Sequence, residues 1–201
     1  MFNKITLIFF CTVLLTTCKD NSKEIDRTPV AEEELEDLNA DATFNDVMST
    51  FDMLEQDPDY NSLLKLANQA QMMDDFQNLS DVTFFAPTNT AIERLPEDDY
   101  NSLRLPSNLD DLRLTLKYHI VKGERDAARL ISMIENNDGN PYRLETITGR
   151  FISLSLEDNT IVITDEQGTT AKVSSPDIET SNGVIHGVDR ILRPTIREVI
   201  N

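Results

Sequence analysis

A short apolar segment in the C-terminal part of the chain, residues 184–188, places the strongest constraint on the fold. Its side chains are typical of a buried strand, yet it contains His186, and Gly183 and Gly187 flank the histidine. An imidazole is tolerated in apolar surroundings only when it is hydrogen-bonded. Glycine on both sides indicates a turn or the close approach of another backbone. We therefore expect a tightly packed core in which His186 is a hydrogen-bonded structural residue.

Two upstream segments extend this pattern. The first covers residues 82–91, with the sequence VTFFAPTNTA, and the second covers residues 116–121 and contains a Tyr-His pair; the C-terminal segment itself runs over residues 182–194. In their order and separations the three segments resemble the two end boxes and the central Tyr-His segment of the fasciclin (FAS1) domain. The resemblance covers roughly residues 43–201. It implies a single fasciclin domain, a module of adhesion and ligand binding with no general catalytic constellation.

The resemblance also implies positions for two sets of functional residues. The structural motif positions are Thr88, Asn89, Asn182, Gly183 and His186. The partner-binding positions, which belong to segments implicated in integrin binding in animal members, are Tyr118, His119, Asp177 and Ile178. The residues themselves also allow a scaffold role, in which Tyr118 and Ile178 pack and Asp177 caps a turn. The chain has no Arg-Gly-Asp sequence, so an integrin is not the expected partner.

The chain offers little for metal binding or catalysis. Its two histidines, His119 and His186, have no histidine or glutamate partner at the spacing of a metal site. The sequence also has no Gly-x-Ser-x-Gly elbow, no Gly-x-x-x-x-Gly-Lys phosphate loop and no Gly-x-Gly-x-x-Gly turn. We expect no catalytic residue, no metal and no cofactor, and therefore a protein that is not an enzyme.

Residues 1–17 are expected to form a secretory signal. Lys4 precedes an almost entirely apolar run over residues 5–15, which is too short to span a bilayer. The sequence Leu-Thr-Thr-Cys that ends at Cys18 resembles a bacterial lipobox, in which the signal is cut before the cysteine and the cysteine sulfur receives a diacylglycerol. An ordinary secretory peptide with an incidental cysteine is the alternative.

Lipidation would hold the protein to a membrane. Cys11 lies in the segment that would be removed and Cys18 would carry lipid, so no disulfide is expected in the mature protein. Several acyl chains on one cysteine provide stable anchoring. Lys19 and Asp20 resemble the charged export signal that directs some Bacteroidetes lipoproteins to the outer face of the outer membrane. We expect a lipid-anchored protein of the cell envelope, on the surface-exposed or the periplasmic face of the outer membrane.

Acidic residues dominate the segment after the cysteine. Residues 18–42 contain many glutamates and aspartates and hardly an aromatic residue, a composition that cannot bury enough apolar surface to offset the entropy of ordering. We predict a disordered tether there. The whole chain has 36 Asp and Glu against 18 Lys and Arg, a net charge of −18. Because this charge repels nucleic acid and anionic lipid headgroups, no nucleic-acid partner is expected.

Residues 43–201 change from helical to strand periodicity along the chain. Helices are predicted from a cap at Thr43 through Val47 and Phe51, along the stripe from Leu63 to Met73, after a cap at Thr88 or Asn89, through Leu109, Leu112 and Leu116, and over residues 127–134. Strands are predicted at residues 82–86, 152–156, 161–163, 171–173 and 184–188. Helices first and strands later indicate an α+β fold, a β-sandwich or wedge core with helices packed mainly from the N-terminal half.

Three functions are compatible with these features. The first is a lipid-anchored binding module of the envelope that acts in adhesion or in envelope or matrix organisation, through extracellular or envelope protein or glycan contacts. The second is an accessory structural lipoprotein of an envelope complex. The third and least favoured is an uncharacterised hydrolase in which acidic residues activate water. A contiguous exposed apolar patch would favour a protein partner, whereas a deep cleft with convergent carboxylates would favour the enzyme.

Overall fold

The computed structural model describes residues 47–196. The predicted signal sequence, the lipidation site Cys18, the acidic tether and the helix cap predicted at Thr43 lie outside these residues. The helices within them are α1 Thr50–Gln56, α2 Asn61–Gln69, α3 Met73–Gln77, α4 Asn89–Glu93, α5 Glu97–Leu103, α6 Leu109–Tyr118 and α7 Ala127–Glu135. Two short 3₁₀ turns cover Pro58–Tyr60 and Pro106–Asn108.

One seven-stranded sheet contains all the strands of the described residues. These strands are β1 Val82–Pro87, β2 Ile120–Lys122, β3 Tyr142–Glu145, β4 Phe151–Glu157, β5 Thr160–Thr164, β6 Thr170–Thr180 and β7 Gly183–Val188. Their order across the sheet is β2-β1-β7-β6-β5-β4-β3. Strand β7 pairs with β1 in parallel and with β6 in antiparallel orientation. The last strand along the chain therefore lies inside the sheet.

The two edge strands of this sheet approach each other. Thr146, just after β3, forms an isolated antiparallel bridge with Val121 of β2, and the Ile147 amide donates to the Ile120 carbonyl over 2.8 Å. The sheet therefore bends round until its edges nearly meet, which gives a wedge close to a barrel. The predicted α+β fold with a wedge core and helices mainly from the N-terminal half is confirmed.

The side chains of β1 divide between two hydrophobic cores. Phe84 packs with residues of α1, α2, α3 and α6 in a helical core, whereas Phe85 packs with residues of α7 and of the strands β3 to β7 in a second core. Adjacent residues of a strand point to opposite faces of the sheet, so one strand supplies both cores. The helices predicted after Thr88, through Leu109 and over residues 127–134 are confirmed, and so are all five predicted strands.

Two glycines of β7 allow the close packing that their position in the sequence indicates. A Cβ atom on Gly183 would lie 2.6 Å from the Val82 carbonyl oxygen. A Cβ atom on Gly187 would lie 2.8 Å from the Tyr60 hydroxyl oxygen. Real Cβ atoms do not approach other atoms this closely, so a side chain at position 183 would clash with the backbone of β1, and one at position 187 would displace the Tyr60 hydroxyl.

The first two helices differ from the prediction. Helix α1 begins at Thr50 because the Ser49 side chain accepts from the Asp52 amide while the Asp52 carboxylate accepts from the Ser49 amide, a capping box. Val47, predicted as helical, precedes this cap and is 62% exposed. The predicted stripe from Leu63 to Met73 is likewise wrong as one helix, since Gln71 takes a positive φ of 58° and separates α2 from α3.

Some elements are not predicted because they are short. Helices α3 and α5 and strands β2 and β3 contain between three and seven residues each, too few for a periodic pattern to stand out. Strand β6 extends well beyond the predicted residues 171–173 and includes two register shifts, one between Val173 and Ser175 and one between Ser175 and Ile178. No helix in residues 47–196 is both long and apolar enough to cross a membrane.

Candidate functional site

The buried histidine of β7 is fully hydrogen-bonded. His186 Nε2 lies 2.8 Å from the Arg125 carbonyl oxygen, and His186 Nδ1 accepts from the Asp177 amide at 3.2 Å. A carbonyl can only accept, so Nε2 carries the proton and the ring is neutral. Burial lowers the pKa of His186, although the Arg125 carbonyl and the carboxylate of Asp177 oppose this shift. His186 is therefore buried, with both ring nitrogens in hydrogen bonds.

His186 supports an irregular, exposed bend of β6. Asp177 has a φ of 59°, in the left-handed region, and lies at the register shift between Ser175 and Ile178. Its Oδ1 atom accepts from the Ala127 amide over 2.6 Å, at the first residue of α7. A carboxylate is favoured there because the first amides of a helix have no intrahelical partner. Asp177 therefore joins β6 to α7, while its side chain remains 42% exposed.

The neighbouring Ile178 is only partly buried. It pairs with Ile185 of β7 and packs against the helical core. The exposed Asp177 and the half-buried Ile178 therefore lie side by side at the surface. Of the four predicted partner-binding residues, these two are the ones that solvent can reach.

Tyr118, the last residue of α6, is buried. Its hydroxyl donates to the Phe151 carbonyl over 2.7 Å and accepts from the Glu166 amide at 3.2 Å. Burial raises the pKa of the Tyr118 phenol, so it stays protonated and can serve as this donor. The side chain fastens α6 to the beginning of β4 and to the turn between β5 and β6.

His119 caps the same helix from within the core. Its Nδ1 atom lies 2.7 Å from the Thr115 carbonyl oxygen, and its Nε2 atom accepts from the Leu192 amide at 2.8 Å. Nδ1 therefore carries the proton, and burial lowers the pKa of His119 to about 4. The ring is neutral and ties α6 to the segment after β7. Tyr118 and His119 are both fully buried, so a partner cannot touch either side chain without local unfolding.

A phenylalanine of β1 connects the two histidines. The Phe85 amide donates to the His119 carbonyl over 2.9 Å, and the Phe85 ring stacks on the His186 imidazole with a centroid separation of 5.6 Å. The Tyr-His and Asp-Ile pairs are thus joined through the core. They do not form a common surface, because the first pair is buried and the second projects from β6.

The structural motif residues after β1 organise the helical layer. Thr88 caps α4, with its Oγ1 accepting from the Ala91 amide at 3.3 Å. Asn89 reaches back to the start of α2, where its Oδ1 accepts from the Ser62 amide over 2.9 Å and its Nδ2 donates to the Pro58 carbonyl over 2.8 Å. Thr88 is thus the cap, and Asn89 joins two helices.

Asn182 holds the start of α1 through its side-chain amide. Its Oδ1 atom accepts from both the amide and the hydroxyl of Thr50, each over 2.8 Å, and its Nδ2 atom donates to the Leu79 carbonyl over 2.6 Å. The next residue, Gly183, packs directly on Val82. The turn between β6 and β7 therefore holds the first helix of the described chain against the sheet.

An acidic cleft lies on the surface of the described residues. It has a volume of about 340 Å³, with Glu124, Asp126 and Glu179 in its lining, and Asp126 already caps α7 through the Arg129 amide over 2.7 Å. Within residues 47–196, no group of three or more His, Cys, Asp or Glu side chains has the arrangement of a metal site. The large exposed apolar side chains of this region, Val47, Leu105, Phe151 and Ile196, come from four separate segments.

Comparison with protein families gives a match over most of the described residues. The model of the fasciclin domain matches residues 58–194, and this range includes both histidines and both predicted end boxes. Fasciclin domains occur in cell adhesion and extracellular matrix proteins, and the domain is of an adhesion type rather than an enzymatic one.

Individual relatives agree with this match. The chain is 28% identical over 153 residues to protein sll1483 of the cyanobacterium Synechocystis, covering 76% of this chain and 77% of that protein. It is 27% identical over 146 residues to the transforming growth factor-beta-induced protein ig-h3 of the pig, covering 73% of this chain but only 19% of that much longer protein.

A solved structure has the same fold. It is a FAS1 domain pair from the insect cell adhesion molecule fasciclin I, with a TM-score of 0.61 and 21% sequence identity. The match covers 75% of this chain and 51% of that one, as expected when one domain is compared with two. The chain belongs to the fasciclin domain family.

Proposed function

We propose that this protein is a lipid-anchored binding module of the cell envelope, and that it acts in adhesion or in envelope organisation through protein or glycan contacts. The fasciclin match over residues 58–194 carries the proposal, because the domain occurs in adhesion and matrix proteins. The Leu-Thr-Thr-Cys sequence that ends at Cys18 supports the anchor.

The use of the buried polar groups also favours binding over catalysis. His119, His186 and Tyr118 each form a hydrogen bond with the backbone of another segment. A general acid or base needs a titratable group within reach of a substrate. These side chains are committed to the fold, so binding falls to the exposed surface.

The anchor can be tested by replacing the lipidated atom. We expect Cys18→Ser to abolish partitioning into the detergent phase of a Triton X-114 extraction and metabolic labelling with a radioactive fatty acid. Cys11→Ser is the matched control, since Cys11 lies in the segment that is expected to be removed, and it should label normally. Persistent labelling or detergent partitioning of the Cys18→Ser protein would exclude the lipoprotein hypothesis.

The binding role can be tested by displaying residues 43–201 on cells that otherwise do not adhere. We expect the displayed domain to increase attachment to envelope or matrix material from the source organism. If the surface at Asp177 and Ile178 is the contact, Asp177→Asn should weaken attachment while stability changes by less than roughly 1 kcal/mol. The asparagine keeps the volume and an oxygen for the Ala127 amide.

Asp74→Asn serves as the control for this substitution, because Asp74 is also an exposed aspartate but lies on a different element, in the first turn of α3. It should leave attachment unchanged. Attachment that is the same with and without the displayed wild-type domain would refute the adhesion hypothesis. Normal attachment of a folded Asp177→Asn protein would remove only the contact at β6.

A further inference from the structure

Three arginines converge on one cavity in this strongly acidic chain. Arg94, Arg190 and Arg193 line a cavity of about 190 Å³ between α4, the start of α5 and the segment after β7. The chain has twice as many acidic as basic residues, 36 against 18. Three arginines in the lining of a single small cavity are therefore a local reversal of the overall charge.

Two of the arginines are already held in place by carboxylates. Arg94 donates through Nη1 to the carbonyl oxygen of Asp189 over 2.9 Å and to its Oδ2 over 2.7 Å. Arg193 donates through Nη1 to Asp99 Oδ2 over 2.7 Å. Each guanidinium has five donors in a fixed plane, so both retain N–H groups for a ligand. The ion pairs fix the position of these groups in advance.

The third arginine has no such partner. Arg190 is exposed, and its side chain forms no hydrogen bond or ion pair with any residue between 47 and 196. The lining thus contains three positive charges and the carboxylate of Asp99, with the carboxylate of Asp189 paired to Arg94 at its margin. One positive charge is left over, which matches a ligand with a single negative charge. Arginine favours carboxylate, sulfate and phosphate oxygens because its fork can donate two parallel hydrogen bonds.

The rest of the lining suggests what carries the anion. Thr169 adds a hydroxyl, and the carboxylate of Asp99 can accept further hydrogen bonds, whereas Ala91 and Ile191 are apolar. A ligand that matches these groups has hydroxyl donors and a carbon framework as well as the charge. The volume is below the roughly 300–1,000 Å³ typical of sites for drug-sized molecules, so the cavity suits one ring. A polyanion is disfavoured by the net charge of −18.

We propose that this cavity binds the acidic residue of a glycan, a single sugar ring that carries one carboxylate or one sulfate ester, with Arg190 and Arg193 holding the anion. The assignment rests on the proposed binding function and specifies its ligand class. Asp99 acts as a positioning residue for Arg193.

Binding can be measured by titrating the isotope-labelled domain with methyl glucuronide and following amide shifts by NMR. Methyl glucoside, which has the same ring without the charge, is the matched control ligand. We expect saturable shifts at residues 190–193 with the glucuronide and none with the glucoside. Equal shifts with both sugars would overturn the proposal, and so would equal affinity for sodium acetate, since that result means a simple anion site.

Variants test the roles of the residues. Arg190→Gln should weaken glucuronide binding about tenfold, the effect of removing a charged hydrogen-bond donor. Arg143→Gln is the control, because Arg143 stacks on Phe151 elsewhere on the molecule, and it should bind as the wild type does. Asp99→Asn should weaken binding, since Arg193 loses the ion pair that fixes its position. Unchanged affinity in the Arg190→Gln protein would refute the assignment.

The same variants separate this proposal from the proposed function. If displayed wild-type and Arg190→Gln domains attach equally well, adhesion stands and the acidic-sugar site is wrong. If the wild type does not attach at all, the adhesion hypothesis fails, and the glucuronide titration still decides whether the cavity is a sugar site. Tighter binding of an acidic dipeptide than of the glucuronide would overturn the sugar assignment in favour of a peptide ligand.

Discussion

The two histidines join backbone segments that are distant in the sequence. Each imidazole donates to a carbonyl through one nitrogen and accepts from an amide through the other. These two carbonyls and two amides are buried away from water, so each needs a hydrogen-bond partner from a histidine ring. Only a neutral imidazole offers one donor and one acceptor, so both rings must be neutral to satisfy all four backbone groups. Both histidines are therefore more sensitive to truncation and to protonation than an exposed histidine would be.

Truncation of His186 should destabilise the fold. His186→Ala leaves a cavity beside Phe85 and removes the partners of the Arg125 carbonyl and the Asp177 amide. We expect a loss of about 2–4 kcal/mol in the free energy of unfolding, measured by urea denaturation. His186→Gln, which can offer both a donor and an acceptor, should recover part of the loss. A cost below 1 kcal/mol for the alanine variant would contradict this role.

Acidification should weaken the fold before the carboxylates titrate. The pKa of both histidines is lowered in the folded state, to about 4 for His119. As the pH falls below about 6.5, the unfolded chain therefore binds more protons than the folded chain does. The stabilisation is complete above pH 6.5 and falls as the pH drops towards the folded value. The free energy of unfolding should decrease by up to about 1.4 kcal/mol per pH unit for each histidine.

Urea denaturation curves recorded between pH 6.5 and 5 measure how steeply the free energy of unfolding changes with pH. His119→Gln should reduce the slope even if it also lowers the overall stability, because one of the two titrating groups is gone. A flat free energy over this interval in the wild type would show that the histidines are protonated in the folded state.

For single residues, the sequence predicts burial and the need for a hydrogen bond, but it does not predict which distant segment supplies the partner. The apolar neighbours of His186 predict burial and hydrogen bonding, and both are found. The positive φ of Asp177 and its bond to Ala127 are not predicted, because they depend on how β6 meets α7. The arginine cavity is also not predicted, since its residues come from α4 and from the segment after β7.

Helix α1 is attached to the sheet by a polar contact at its first residue. Asn182 binds the amide and hydroxyl of Thr50 and the carbonyl of Leu79, while Phe51 and Leu54 of α1 pack into the helical core. A seven-residue helix is too short to be stable in isolation, so its position depends on these contacts.

Removal of this contact should loosen α1 before the rest of the fold. Asn182→Ala leaves the Thr50 amide and the Leu79 carbonyl without partners, so we expect a loss of about 1–3 kcal/mol in stability. Hydrogen exchange should increase most at the amides of α1. Asn136→Ala is the control, since Asn136 binds only Ser132 within its own helix region. Faster exchange spread evenly over all the helices would contradict a local role for Asn182.

The elements that sequence reasoning finds are those with a cap or a sustained period. Thr88 is one of the two residues predicted to cap α4 and is the one that does so, and Ile152 and Leu154 alternate with serines as a half-buried strand requires. The start of α1 is not predicted, although Ser49 and Asp52 have the sequence spacing of the capping box that sets it. The break at Gln71 has no sequence signal, since glutamine is a good helix former.

Across the whole molecule, the excess of acidic charge opposes compaction. A net charge of −18 repels itself in the folded state more than in an expanded chain. We expect added sodium chloride, up to about 0.15 M, where the screening length falls to roughly 8 Å, to raise the melting temperature at pH 7. Near the isoelectric point of about 4.3 the same salt should have little effect. A melting temperature that falls with salt at pH 7 would mean that ion pairs outweigh the repulsion.

The position of β7 determines when the sheet can assemble during synthesis. A ribosome delivers β1 to β6 first, and β1 gains its parallel neighbour only when residues 183–188 emerge. Long-range pairing of this kind slows folding, because the intervening chain must be ordered first. A released chain that ends at Ser181 should therefore stay sensitive to protease, whereas a released chain that includes residues 183–194 should become resistant. The sheet is completed only when β7 has emerged, so strand β1 remains without its parallel neighbour while all the other described strands are being made.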